Sequence, residues 1–149
     1  MKIRLMKKND YVSLVELWKT FPGNTMTGAD STEGFEKFLR RNVDYCFTAF
    51  DESTLVGSVM AGHDSRRGYI YHLAVAESQQ GNGTGTLLMS TAENALKNAG
   101  IEKAHLFIYT DNTAIQFYEK IGWHRRSDIT LMSKVLIGDK YTGTRIEER

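Results

Sequence analysis

An apolar run, Tyr69 to Val75, passes through Gln80-Gly81-Asn82-Gly83-Thr84-Gly85-Thr86 into a segment whose apolar residues recur at helical spacing. The order strand, glycine turn, helix constrains the fold more than any other feature of the chain. Leu87, Leu88, Thr91, Ala92, Ala95, Leu96 and Ala99 form one wide helix face, and Gly100 stops it. Glycines at a helix mouth let the backbone approach a ligand closely, and the unpaired first-turn amides carry roughly half a positive charge, so the turn suits a phosphate. The spacing Gln-x-x-Gly-x-Gly is neither the dinucleotide fingerprint Gly-x-Gly-x-x-Gly nor a P-loop, because no Gly-Lys-Ser/Thr follows. A tight strand-to-helix connection without a ligand is the plain alternative.

Upstream, Lys2 to Met6 alternates polar and apolar as a first strand, and Asn9 or Asp10 is placed to cap a helix carrying Tyr11, Leu14, Val15 and Trp18. The stretch from Phe21 to Asp30, with Pro22, Gly23 and Gly28, breaks any periodicity, and Phe35, Phe38 and Leu39 then mark a short second helix. Tyr45 to Phe50, Leu55 to Ala61 and Tyr69 to Val75 read as an antiparallel meander, its turns at Asp51-Glu52-Ser53 and His63-Asp64-Ser65-Arg66-Arg67-Gly68. Downstream, Lys103 to Tyr109 is a strand, Ala114, Phe117, Tyr118 and Ile121 form a helical stripe ended by Gly122, and Ile129 to Ile137 supplies a last strand. Residues 138–149 read as a polar, frayed tail. A meander followed by alternating strands and helices predicts an α/β (α+β) fold, a mixed twisted sheet flanked by helices.

At 149 residues the chain predicts one domain, 1–149, long enough to bury about two thirds of its unfolded surface. Nineteen basic against eighteen acidic side chains leave a net charge of +1, which excludes a broad field for nucleic acid or an anionic membrane. One cysteine, Cys46, forbids an internal disulfide and fits a reducing compartment; its strand-like setting reads as core packing. With no charged-then-apolar leader and no apolar run near the length of a membrane span, the cytoplasm is the expected location.

A second motif, Asn112-Thr113-Ala114-Ile115-Gln116-Phe117-Tyr118-Glu119-Lys120-Ile121-Gly122-Trp123, follows the glycine turn. It resembles the Asn-x-x-Ala-x-x-Phe-Tyr-x-Lys-x-Gly-Phe segment of the GCN5-related N-acetyltransferases, the GNAT superfamily, with Trp123 where Phe is usual. The glycine turn, preceded by Leu73-Ala74-Val75, resembles that family's pyrophosphate loop, and the flanks match a small uncharacterised bacterial-type branch. The resemblance implies a mostly antiparallel sheet of roughly six or seven strands with about four helices. It also implies that the strands Tyr69–Val75 and Lys103–Tyr109 run parallel and then splay apart.

The resemblance further implies an N-acetyltransferase that moves an acetyl group from acetyl-coenzyme A to a primary amine of a small molecule, protein or peptide, by direct transfer in a ternary complex and without a metal. The main chain of Leu73, Ala74 and Val75 would pair with the pantetheine arm; Gln80, Gly81, Asn82, Gly83, Thr84, Gly85 and Thr86 would hold the pyrophosphate; and Asn112 would contact the pantetheine or cap its own helix. Gln80 stands where the family often has Arg, which removes a charge and points to modest affinity. Tyr118 stands where the family places the acid that protonates the departing thiolate, a role that depends on position because a phenol ionises near about 10 and a thiol near about 8.5. No base is evident. Strand alternation puts Tyr69 and Tyr71 on the face of Leu73 and turns His72 to the other, while His63, Asp64, His105 and a water chain remain open. Phe21, Asn24, Met26, Thr27 and Asp30, with Tyr69 and Tyr71, are the candidate acceptor residues. A coenzyme-binding regulatory module without turnover, a mononucleotide-binding domain, and a homodimer formed through a sheet edge or the last strand are the open alternatives.

Overall fold

The computed structural model describes residues 1–21 and 26–138. Asn24 and most of the expected tail lie outside the described residues. Two compact units emerge, one within Met1–Asn24 and Gly28–Phe107 and the other within Thr25–Thr27 and Ile108–Arg149.

The first unit is built on a five-stranded sheet of order β1-β2-β3-β4-β5, with β1 Lys2–Leu5, β2 Phe47–Asp51, β3 Thr54–His63, β4 Gly68–Val75 and β5 Ala104–Leu106. The first four strands pair antiparallel and β5 runs parallel to β4. Three helices pack on the sheet: α1 Tyr11–Lys19, α2 Thr32–Arg41 and α3 Thr84–Asn98. Leu14, Leu17 and Trp18 of α1, Phe35 and Leu39 of α2, and Leu88, Met89, Ala92 and Leu96 of α3 are buried against Val56, Val59, Met60, Ala61 and Ile70 of the sheet. Cys46 is fully buried and donates its thiol to the carbonyl of Ala61 at 3.4 Å, as its core reading requires. Asp10 does not cap α1. Its carboxylate accepts the Lys7 amide at 2.7 Å and a two-pronged contact from Arg4 at 2.7 and 2.8 Å, so it closes the turn before the helix.

Three differences from the sequence reading have physical causes. β5 covers Ala104–Leu106 rather than 103–109, because beyond Leu106 its neighbour β4 is no longer alongside. No strand forms over 129–137 among the described residues: its apolar alternation meets no ladder partner, and Leu131, Met132, Leu136 and Ile137 stay exposed. The sheet therefore has five strands, not six or seven.

The third difference lies inside β4. Ser58 pairs with Ala74 and Met60 with Tyr71, so His72 and Leu73 together oppose Val59 in a bulge. One inserted residue reverses the alternation. Tyr69 and Tyr71, paired with Gly62 and Met60, lie on the α2 side, where Tyr71 meets Phe38 edge-on at 5.6 Å. Ala74 shares the face of Ser58, so its neighbour Leu73 turns to the opposite face. The expected common face of Tyr69, Tyr71 and Leu73 is thus corrected, and the His72 ring lies beside Trp18 of α1.

In the second unit α4 spans Ile115–Lys120, with Gly122 at φ 99° ending it. No helix among the described residues is long and apolar enough to cross a membrane.

Candidate active site

β5 lies beside β4 only from Gly68 to Ile70, paired with Ala104 to Leu106. From Tyr71 to Val75 that side of β4 has no strand next to it among the described residues. This is the expected splay, and it leaves main-chain donors and acceptors of Leu73–Val75 facing a gap; such groups are costly to bury without a partner.

At the end of that gap the chain turns into α3. Gly81 and Gly83 take φ 78° and 81°, the left-handed region that side chains with a Cβ seldom enter. Gly83 immediately precedes α3, and the first bond closing the helix runs from the Leu87 amide to the Gly83 carbonyl at 3.0 Å. The amides of Thr84, Gly85 and Thr86 thus have no acceptor within the helix and present the positive end of a 15-residue dipole. Nothing lies within 4 Å of a Cβ built on Gly81 or Gly83, so the mouth is open. These residues fit a pyrophosphate.

Two side chains of this loop are already engaged. The Thr84 hydroxyl is buried and donates to the Met1 sulfur at 3.1 Å, which leaves only its amide for a ligand. Gln80 donates its side-chain amide to the Val75 carbonyl at 3.0 Å, occupying one of the β4 groups assigned to a pantetheine arm. A ligand pairing with Val75 would displace that contact and free Gln80 for the phosphates.

A cavity of about 270 Å³ opens between α2 and the β3–β4 hairpin, lined by Phe38, Arg41, Asn42, His63, Tyr69 and Tyr71 among others. It brings Tyr69 and Tyr71 together; Phe21 is not among its walls, and Met26 belongs to the other unit. Burial, with the neighbouring Tyr69, raises the Tyr71 phenol above its ordinary range, so it holds its proton more tightly. The base candidates at the hairpin fare poorly. The His63 Nδ1 accepts the Ser65 amide at 2.9 Å, which assigns the ring proton to Nε2, donated to the Tyr45 hydroxyl oxygen at 3.1 Å; both ring nitrogens are taken. The amides of Arg67 and Arg66 hold the Asp64 carboxyl below its usual range, which makes it a weaker base.

Within the β4 bulge, His72 sits at φ 46°. Its Nε2 lies 2.6 Å from Oδ1 of Asp30, in the turn Gly28–Asp30, and its ring stacks on Trp18 at 4.0 Å. Trp18 donates to the Ser58 hydroxyl at 3.0 Å, and Ser58 donates to the His72 carbonyl at 2.8 Å. The Tyr11 hydroxyl donates to the Asp30 carbonyl at 2.8 Å. Nothing in the composition marks this network; only the residue types His, Asp and Trp were visible.

In the second unit, the Asn112 Oδ1 accepts the Ala114 amide at 2.9 Å, so the side chain organises the start of α4. Burial pushes the Tyr118 phenol up to about 12, and its ring packs with Phe117 and Trp123 at 5.3 and 6.4 Å. Its hydroxyl has no hydrogen-bond partner among the described residues.

An open sheet whose parallel strands part beside a glycine-opened helix mouth is the frame of an acyl-transfer fold. The profile of the Acetyltransferase (GNAT) family matches residues 11–123, and the chain belongs to that family. An acetyltransferase of Pectobacterium atrosepticum is 34% identical over 145 residues, covering 94% of this chain and 99% of that protein. Among solved structures, the PaiA N-acetyltransferase of Thermoplasma acidophilum, in complex with coenzyme A, is similar with a TM-score of 0.70 at 21% identity, over 80% of this chain and 86% of that one. The structure of AAC(6')-Iy in complex with the bisubstrate analogue CoA-S-monomethyl-acetylneamine is similar with a TM-score of 0.71 at 18% identity, over 90% of this chain and 97% of that one. These likenesses are of fold.

Proposed function

We propose that the chain is an N-acetyltransferase that takes the acetyl group of acetyl-coenzyme A to a primary amine by direct transfer in a ternary complex. The observation that carries this reading is the departure of β4 from β5 after Ile70, with the open α3 mouth at the end of the gap. The main chain of Leu73–Val75, once Gln80 releases the Val75 carbonyl, suits a ligand bearing amides, and the loop Gln80–Thr86 suits its pyrophosphate. Asn112, whose Oδ1 is spent on α4, has its side-chain amide to offer the same ligand. The walls Tyr69 and Tyr71 would receive the amine, and the neighbours of the fold that hold a bisubstrate analogue or sisomicin favour a small molecule over a peptide.

Tyr118 is the proposed acid. With its phenol raised to about 12 it stays protonated at neutral pH and, having no hydrogen-bond partner among the described residues, has a proton to give to the departing thiolate. Driving force is against the donation, so position decides it. The test is thiol release from acetyl-coenzyme A over an amine panel, with coenzyme A affinity measured by calorimetry. Tyr118→Phe is expected to lower turnover about 100-fold while leaving the affinity within about twofold. Equal turnover by the two proteins removes Tyr118 from the chemistry, and coenzyme binding without turnover on any amine leaves a regulatory module.

A further inference from the structure

The cavity between α2 and the β3–β4 hairpin is walled mainly by rings. Phe38 meets Tyr71 edge-on at 5.6 Å, and Tyr69 lines the same wall. Just past β5, Phe107 stacks on Tyr69 at 6.3 Å and continues the row with 59% of its surface exposed. Open aromatic area gathered in this way suits the apolar body of a ligand. At about 270 Å³ the space falls below the roughly 300–1,000 Å³ of sites that enclose drug-sized ligands, so it fits a molecule of amino-acid size better than a multi-ring aminoglycoside.

The polar groups of the wall differ in what they have left to give. Asp64 Oδ1 accepts the amides of Arg66 and Arg67 at 2.8 Å each, and the Arg66 charge compensates the carboxylate further. Both His63 ring nitrogens are taken, by the Ser65 amide and the Tyr45 hydroxyl. The Asn42 side-chain amide donates to the Phe38 carbonyl at 3.1 Å, which leaves its Oδ1 as an acceptor. The Tyr69 and Tyr71 hydroxyls have no hydrogen-bond partner among the described residues. Arg41, the last residue of α2, makes no ion pair or hydrogen bond among them either, although Asp64 lines the same cavity. It is the one charge of the wall that nothing described compensates.

An uncompensated guanidinium selects the charge of what binds beside it. Its parallel N–H donors match the two oxygens of a carboxylate, and its single positive charge balances a single negative one, whereas a phosphate dianion would call for a second cation. A polycation meets repulsion from Arg41 and finds the only carboxylate of the wall already engaged.

We propose that this cavity binds an amine carrying a carboxylate, a free amino acid with an apolar or aromatic body, and that Arg41 is the specificity-determining residue that takes the carboxylate. The proposal rests on the transfer reading above, in which this ligand is the acceptor. Its body lies against Phe38, Tyr69 and Tyr71, and its carboxylate lies at the end of α2. Its amine faces β4, where Tyr71 stands just before the bulge and the main chain of Leu73–Val75.

The test uses the full chain with coenzyme A and with acetyl-coenzyme A. The ligands are phenylalanine, leucine and glycine, each beside its C-terminal amide, with spermidine and kanamycin as polycations. The preference for acid over amide is read twice, as Kd by calorimetry on the coenzyme A complex and as kcat/KM by thiol release. Wild type is expected to bind phenylalanine about tenfold more tightly than its amide, the modest end for a charge-assisted pair because Arg41 is exposed, with glycine and the polycations ranking below. Arg41→Gln keeps a good helix former at an exposed position. It is expected to bring the calorimetric ratio to within about twofold of one, and Arg41→Glu is expected to reverse it. An unchanged ratio in Arg41→Gln, or a wild type that binds either polycation ahead of every free acid, overturns the proposal; turnover on any amine then leaves the transfer reading intact. Free acids that bind through Arg41 while no amine of the panel is acetylated overturn the transfer reading and leave the carboxylate site standing.

Discussion

Positive backbone angles fall at residues of opposite kind on either side of the β4 end. Gly81 and Gly83 adopt theirs without a Cβ to object, in open space, so the glycine loop is shaped by chirality and not by packing. His72 adopts its angle against its own preference and is clamped there by Asp30, Trp18 and Ser58. The first kind is visible from the residue names. The second is not, because no residue type announces that its neighbours will force it. A β-branched residue at Gly83 separates shape from contact: Gly83→Val meets no atom within 4 Å, so its cost is conformational, roughly 1–2 kcal/mol. The loop is expected to relax away from the left-handed angle, turning the α3 amides off their common target. Calorimetry should then read a coenzyme A affinity at least about tenfold weaker, about 1.4 kcal/mol, from a protein that is still folded. Unchanged affinity would show that the mouth does not hold the phosphates.

At the scale of elements, the turn Gly28–Asp30 and α2 touch so closely that one hydrogen separates fit from clash. A Cβ on Gly34 would stand 2.5 Å from the Ala29 carbonyl oxygen and 2.7 Å from that of Gly28, both backbone atoms that cannot swing aside. Gly34→Ala gains up to about 1 kcal/mol in helix propensity, but overpacking of this kind costs about 1–3 kcal/mol. Net destabilisation in urea is expected. Gly28→Ala, whose Cβ meets nothing, is the control and should be neutral. Much at this scale was legible. The α3 helix, the glycine turn and the antiparallel meander follow from periodicity and turn chemistry and are present, though Leu87 of the expected apolar face is exposed and Met89 is buried instead. The bulge was not, since inserting His72 changes no composition and merely moves Tyr69 and Tyr71 off the face of Leu73. Nor was the fate of 129–137 legible: alternation states what a strand would bury, whereas a strand exists only if a partner offers its edge.

Across the whole molecule, two buried acids set the alkaline limit, one in each compact unit. Burial pushes the Cys46 thiol from 9.0 up to about 12, opposed only by its bond to Ala61, and burial likewise takes the Tyr118 phenol from 10.0 up to about 12. Both groups are neutral when protonated, and in the folded chain both hold the proton more tightly than in the unfolded chain. Their contribution to stability is therefore complete below the unfolded values, near 9 for the thiol and 10 for the phenol, and is lost as pH rises towards about 12. Between pH 9 and 10 the slope belongs chiefly to Cys46, and linkage puts its loss by pH 10 at roughly 1 kcal/mol. Tyr118 joins above 10, so the decline should steepen. Urea midpoints taken from pH 8 to 11 on wild type and Cys46→Ala separate the two contributions. Removing the thiol lowers stability at pH 8 through the lost volume, yet it should flatten the curve from 9 to 10 and leave the fall above 10 in place. A Cys46→Ala protein whose midpoint drops as steeply over the first interval as wild type would show that the Cys46 thiol does not set this slope.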